Sequence, residues 1–444
     1  MSLVLAGGTL VTTLDPPAVS VADVTVEGDR IGAVGRADPS DDDGVLDCAG
    51  CLVIPGNVCA HHHLYSALAR GMPYRLDPPR NFVQVLQRVW WRLDRALDPD
   101  SVWLSAWTGG ADALLSGTTT IVDHHASPNA VEDSLDGVGA ALEELGARAV
   151  LCYEVTDRDG PERASAGLEE HRRLAKASRP LQSVMVGAHA SFTLSEETLS
   201  ECVRLAGELD TGIHVHVAED QADERDSLAR FGTRVVERLA EAGALTDRSL
   251  LAHCVHVDQH ETTLIHEAQA WVAHNPRSNM NNRVGWAPVA ALGNRLALGT
   301  DGIDGDLFAE SRSAYWRARE ADASIGPEWA VARVAASARL AGSLTGEPLL
   351  GRIEPGAPAD LVVLDYDPPT PLTSQNLSGH WVFGLSSRMV RDVVVAGEPV
   401  VRGHRLTRVD ETEVRARGRE AAEALWRRMD EIDAHPFEPA GAAG

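Results

Sequence analysis

Two histidines one residue apart, His61 and His63, close the run Pro55-Gly56-Asn57-Val58-Cys59-Ala60. On a strand, side chains at i and i+2 share a face, so these imidazoles can grip one ion while His62 points away. Alone, such a pair is equally a polar strand end. Three later segments supply what a mononuclear hydrolytic metal site needs. Gly212-Ile213-His214-Val215-His216-Val217-Ala218-Glu219 ends an apolar strand in a histidine with a carboxylate three residues on; Leu250-Leu251-Ala252-His253 ends in histidine; Ala297-Leu298-Gly299-Thr300-Asp301 ends in aspartate. Each polar residue closes an apolar run and precedes a loop, which in a parallel α/β barrel is the catalytic mouth.

This order, HxH then HxxE then His then Asp, resembles the amidohydrolase superfamily over nearly the whole chain, in the spacing of its cytosine deaminase and triazine hydrolase (ATZ/TRZ-like) branch. Trp90 to Asp98, Asp123-His124-His125-Ala126-Ser127-Pro128 and Arg277-Ser278-Asn279-Met280-Asn281-Asn282 resemble the SsnA group of aminohydrolases. The His-His-His and Asp-His-His stretches are also similar to purine deaminases of the 8-oxoguanine type. Guanine-type enzymes place glutamine three residues after the second ligand histidine, where this chain has Ser66.

The resemblance implies His61, His63, His216 and Asp301 as ligands of one divalent metal, Zn²⁺ first and Fe²⁺ as alternative, since imidazole and carboxylate suit both. Such a cation lowers the pKa of bound water from about 15.7 toward about 7, giving a hydroxide nucleophile. Asp301 is then the proton acceptor, Glu219 the shuttle to a ring nitrogen or leaving amine, and His253 the group facing the developing oxyanion. Lys176 is the only lysine. It lies in a polar helical stretch, which excludes the lysine-bridged binuclear variant of this superfamily. The expected reaction is deamination of a purine-like or other N-heterocycle at an sp² carbon; cyclic amide hydrolysis or ring dechlorination by the same site, and a non-catalytic binding role, are the alternatives. His189, His125, Arg70, Tyr65 and Asn279 are expected to contact substrate, with His124 or His125 facing the pocket. His214 is either a barrel-interior residue or an orienting partner of the ligands, and His256 a structural one.

The elements that must position these groups follow from hydrophobic periodicity. Short alternating strands fill 1–57, with a turn at Glu27-Gly28-Asp29-Arg30; strand-like and helical runs alternate over 58–351; strands return in 352–410; and 411–444 holds an amphipathic helix, Glu411 to Ile432, and a frayed tail from Pro436. The fold class is α/β: a distorted (β/α)8 TIM barrel, with both chain ends folded into one small β-sandwich as the resemblance implies.

With 444 residues, 44% hydrophobic, the chain can build both cores, and its net charge of -25 argues against nucleic acid or anionic membrane as partner. A small heterocycle is the expected partner, with a homodimer as a candidate assembly through the helix of Trp90 and Trp91. No apolar run approaches the roughly 20 residues needed to span a bilayer. The start lacks the pattern of a signal peptide, so cytoplasmic residence is expected. Six cysteines do not make a disulfide framework; Cys48-Ala49-Gly50-Cys51 reads as a turn and Asp41-Asp42-Asp43 as a solvated loop.

Overall fold

Eight parallel strand positions run round the barrel in chain order: Asn57–His62, Thr118–His125, Arg148–Tyr153, the interrupted pair Gln182–Val184 and Val186–Ala190, then Ile213–Val217, Leu250–His253, Trp271–His274 and Leu296–Leu298. This computed structural model describes residues 2–41, 43–177 and 179–441. The fourth strand breaks at Met185; its first half pairs with Arg148–Tyr153 and its second with Ile213–Val217. The ladder therefore splits into two arcs of hydrogen-bonded strands. Single parallel bridges, Val155 to Ala188 and His62 to Asp301, stitch the arcs together at both seams. This is the distorted (β/α)8 barrel, and one of its two seams lies inside the proposed metal site.

The strands are nearly all buried on both faces, as a barrel wall covered by helices requires. Expected helices form where the periodicity places them, as Glu196–Glu208, Val235–Glu241 and Glu411–Asp430. Their starts are chemically marked: Asp98 caps Pro99–Leu115 through the Ser101 N–H at 2.9 Å, with proline in the first turn. Lys176 is exposed on helix Pro161–Ala177, as its polar surroundings imply.

The two chain ends build one nine-stranded mixed sheet, in which Leu52–Pro55 joins Ser2–Leu14 on one side to Leu361–Leu364 on the other. Leu5, Leu10, Val24, Ile31, Leu361 and Val394 share a single core, so the sheet closes over itself as a sandwich. The closure is tight at Gly397, φ +81°, where an added Cβ would stand 1.9 Å from the Gly28 carbonyl oxygen. Cys48 and Cys51 bracket a turn closed by Cys51 N–H to the Cys48 carbonyl at 2.9 Å, and burial pushes the Cys48 thiol up to about 12. Asp43 accepts hydrogen bonds from Ser40 at 2.8 Å and closes a turn, while Asp42 of the acidic run lies outside the described residues.

The expected fraying from Pro436 does not hold over 436–441; residues 442–444 lie outside the description. Phe437 packs edge-on against Trp91 at 5.8 Å, Gln87 Nε2 donates to the Phe437 carbonyl at 2.8 Å, and Ala440 N–H donates to Asp226. An aromatic residue near a chain end that finds an aromatic cavity stays docked, whatever its distance from the terminus. Among the described residues no helix is long and apolar enough to cross a membrane.

Candidate metal and catalytic site

His61, His63, His216 and Asp301 meet at the barrel mouth, all buried, with one ligand atom from each lying within 4.8 Å of the others. His63 Nε2 stands 2.9 Å and His61 Nε2 3.2 Å from Asp301 Oδ1. His63 Nε2 and His216 Nε2 face each other at 3.2 Å. The opposite nitrogens settle what that contact is. His63 Nδ1 lies 2.6 Å from the His124 carbonyl oxygen and His216 Nδ1 2.8 Å from that of His189. A carbonyl only accepts, so both Nδ1 atoms carry hydrogen, and in the neutral rings both Nε2 atoms present lone pairs to one another. Two lone pairs and a carboxylate oxygen converging in a buried space repel unless a proton or a metal cation lies among them, and the Asp301 carboxylate, against the effect of burial, pushes the His63 ring up to about 9. The donor set, three imidazoles and one carboxylate, suits zinc.

Backbone geometry brings these groups out of their strands. Ala218, His253, Cys254 and Asp301 all have positive φ, between 46° and 74°, although none is glycine. Such strain gathers where side chains must be re-aimed at a strand end. Asp301 N–H and Thr300 N–H both donate to the His61 carbonyl, at 3.0 and 2.9 Å, tying the eighth strand to the first. Gly299 permits that approach, since a Cβ there would lie 2.7 Å from His61 Cβ. His62 turns away as expected, with Nδ1 2.8 Å from Thr300 Oγ1. His214 shares the inward face with His216 and sets its Nε2 2.8 Å from His61 Nδ1.

Glu219 lies on the same cavity, with Oε2 3.6 Å from His253 Nε2 and Oε1 accepting from Asn282 Nδ2 at 3.3 Å. Asp220, not Glu219, caps helix Gln221–Phe231, which leaves the Glu219 carboxyl free. Burial pushes that carboxyl up to about 7, opposed by His253 and reinforced by the charge of Asp301. His253 is itself oriented by Asn279, whose Oδ1 lies 2.8 Å from His253 Nδ1.

The cavity, about 550 Å³ with its open mouth, runs from these groups to an apolar wall of Phe82, Leu86, Trp90, Trp91 and Phe192. A π-helical turn, Leu86–Trp90, lies between helices Phe82–Val85 and Trp91–Ala96; the extra residue re-aims the turn so that both tryptophans reach the cavity. Trp91 is 1% exposed, so it is a wall and core residue and not an interface one.

Of the residues expected to touch substrate, Tyr65 and His189 line this cavity. Three do not. Arg70 points outward to an exposed ion pair with Asp112, Nη1 to Oδ2 at 2.8 Å. Asn279 is committed to His253. His125 turns to Ser127, 2.9 Å from its Oγ, because strand alternation gives the inward face to its neighbour His124. His124 rests its ring 4.8 Å from that of His216 and holds Glu154 Oε2 at 3.3 Å. Arg277 spans Asp304 and Glu310 and so orders its loop, and His256 holds the Val284 carbonyl at 2.7 Å.

Glu154, Asn282 and the apolar wall were not anticipated. Glu154 carried the same signal as the ligands: it is the polar residue that follows the apolar strand Arg148–Tyr153.

The amidohydrolase family pattern matches residues 52–400. A 5-methylthioadenosine/S-adenosylhomocysteine deaminase of Syntrophomonas wolfei is 32% identical over 406 residues, covering 88% of this chain and 91% of that protein. A 5'-deoxyadenosine deaminase of Methanothermobacter thermautotrophicus is 32% identical over 428 residues, 93% of this chain and 96% of the other. Among solved structures, an adenosine deaminase from Xanthomonas campestris with bound zinc superposes with a TM-score of 0.83 at 26% identity, covering 97% of this chain and 99% of that one.

Proposed function

This chain belongs to the amidohydrolase family, and we propose that the four-residue cluster holds the zinc ion of an aminohydrolase acting on an adenine-type ring in a 5'-modified nucleoside. The protein is a metal-dependent hydrolase of carbon–nitrogen bonds in cyclic amidines, in keeping with its deaminase relatives. His61, His63, His216 and Asp301 would hold the metal, and the two Nε2 lone pairs 3.2 Å apart are the observation that carries this assignment. When bound, zinc supplies a Lewis acid that makes water nucleophilic near neutral pH.

The protein's own groups then handle the protons. Asp301 accepts one from the attacking water as the carbon–oxygen bond forms. Glu219, whose carboxyl burial pushes up to about 7 so that a good fraction holds a proton near neutral pH, gives that proton to the adjacent ring nitrogen. The proton on Asp301 passes to the amine, the carbon–nitrogen bond breaks and ammonia leaves, and the proton still on the new hydroxyl returns to Glu219, so that the ring keeps the oxygen as a carbonyl. His253, oriented by Asn279 and 3.6 Å from Glu219, faces the oxygen on which charge gathers. Tyr65, His189 and the tryptophan wall hold the ring flat against the ligands.

Six buried, unpaired cysteines and the acidic composition support residence in the cytoplasm. If two copies pair, exposed Trp316 and Phe383, with ring centroids 5.5 Å apart, are the surface that pairing would cover. Ammonia release from a panel of adenine nucleosides and free purines, alongside zinc analysis, tests the function. Release from an amino-bearing ring by protein holding one zinc supports it; zinc-loaded protein that releases no ammonia from any such ring contradicts it.

A further inference from the structure

The charges along the cavity point to a second level of selection. Beyond the ligand cluster and Glu219, its walls carry the carboxylates Glu154 and Asp220, together with Asp223, which burial pushes up to about 7 and which accepts from the Phe192 and Ala218 N–H groups, and among the described residues neither arginine nor lysine lines it. Glu154 faces the space between His124 and His189, with Oε1 3.7 Å from His189 Nε2. The nearest cation behind this wall is Arg158, whose guanidinium lies 5.1 Å from the centre of the Trp91 ring and is itself buried. It is already engaged by Asp94, by Glu154 at 3.6 Å and by Asp159 at 3.0 Å. Burial pushes the Asp94 carboxyl up to about 7 against the pull of Arg158. Asp159 is shared with Arg95 at 3.6 Å, so each guanidinium behind this wall already faces a carboxylate and neither lines the cavity.

We infer that this cavity selects nucleosides that are uncharged beyond the reacting ring and excludes those whose 5' substituent carries a carboxylate with no ammonium beside it. An incoming carboxylate would lose water against an apolar wall and meet only like charge. A hydroxyl or thioether has no such penalty: the hydroxyl can donate to Glu154, and a thioether packs on Trp90 and Trp91. Glu154 is thus a specificity-determining residue. The inference rests on the deaminase reading and narrows it to nucleosides whose 5' substituent carries no net negative charge.

The test compares 5'-methylthioadenosine with adenosine 5'-carboxylate, which carries a carboxylate and no ammonium, on the zinc-loaded full chain, by ammonia release and by calorimetric binding. The expected kcat/KM is at least about 100-fold higher for the neutral nucleoside, the scale of a like-charge contact. Glu154→Gln should narrow that ratio by about tenfold, the scale of one removed charge, mainly by improving binding of the carboxylate-bearing compound. A wild-type ratio within about threefold, less than a single charge contact produces, overturns the inference while leaving deamination intact. Binding of neither nucleoside also overturns it; the deaminase reading then stands or falls on ammonia release from the other rings.

Discussion

The two ends of the cavity are made in different ways. The metal end consists of strand termini: His61 and His216 lie in the last pleats of their barrel strands, His63 and Asp301 just beyond theirs, and positive φ falls at Asp301 and at Ala218, two residues after His216. The far end consists of loop and tail: Phe82, Leu86, Trp90, Trp91 and Phe192, backed by Phe437 near the end of the chain. The first arrangement follows from barrel topology, which sends every strand end to one rim. The second depends on how three separate segments pack, and a change there alters which molecule enters without touching the chemistry. Apolar selectivity at the far end should therefore be separable from reactivity, whereas Glu154, within 4.8 Å of ligand atoms of His63 and His216, belongs to the metal end.

The largest effect is expected at the metal end. His216→Asn removes one of the converging lone pairs, and both zinc content and turnover should collapse, the latter by on the order of 10³-fold or more. Metal analysis beside the rate checks it, and a variant with one zinc and ordinary turnover would remove His216 from the ligand set. Glu219→Gln separates holding the metal from moving the proton: kcat should fall about 10²- to 10⁴-fold with zinc retained. Full turnover in that variant would mean another group carries the proton.

At the far end the expected pattern reverses. Phe192→Ala should lower kcat/KM by roughly 10- to 100-fold through KM, with kcat and zinc content nearly unchanged, because only apolar contact is lost. A matching loss in kcat would show that the wall also sets the geometry of reaction and that the two ends are not separable.

The smallest effect concerns the scaffold between them. His171 accepts backbone hydrogen bonds from Tyr153 and Gly187 at 3.0 and 2.9 Å, and burial pushes its pKa down to about 3. A depressed pKa means the folded state binds its proton less readily than the unfolded one, whose value is near 6.5. Its stabilisation is thus present above pH 6.5 and lost toward pH 3, by about 1.4 kcal/mol per pH unit. The melting advantage of the wild type over His171→Gln should shrink between pH 7.5 and 4.5; an advantage that grows on acidification would contradict a neutral His171.

What could be read from the sequence divides along the same line. The clustering of His61, His63, His216 and Asp301 beside Glu219 was legible because each polar residue interrupts an apolar run at a strand end, and period-two alternation put His61 with His63 and His214 with His216. That alternation could not choose between His124 and His125 without knowing which residue of the strand faces inward. Glu154 carried the ligands' own signal and was passed over because no partner in the sequence marks it. Phe82, Leu86 and Phe192 have the spacing of core residues, and nothing local distinguishes an apolar side chain that faces a cavity from one that faces a helix. Arg70 has the chemistry to bind an anion, but Asp112, 42 residues away, decides its direction.

The central claim is that one zinc, held by His61, His63, His216 and Asp301, and one proton shuttle, Glu219, release ammonia from an adenine-type ring. Its most direct test is to measure zinc per chain and ammonia per ring converted in one sample of wild-type protein given 5'-methylthioadenosine. One zinc per chain and one ammonia per deaminated ring is the predicted result; one zinc per chain with no ammonia from this or any other amino-bearing ring would contradict it.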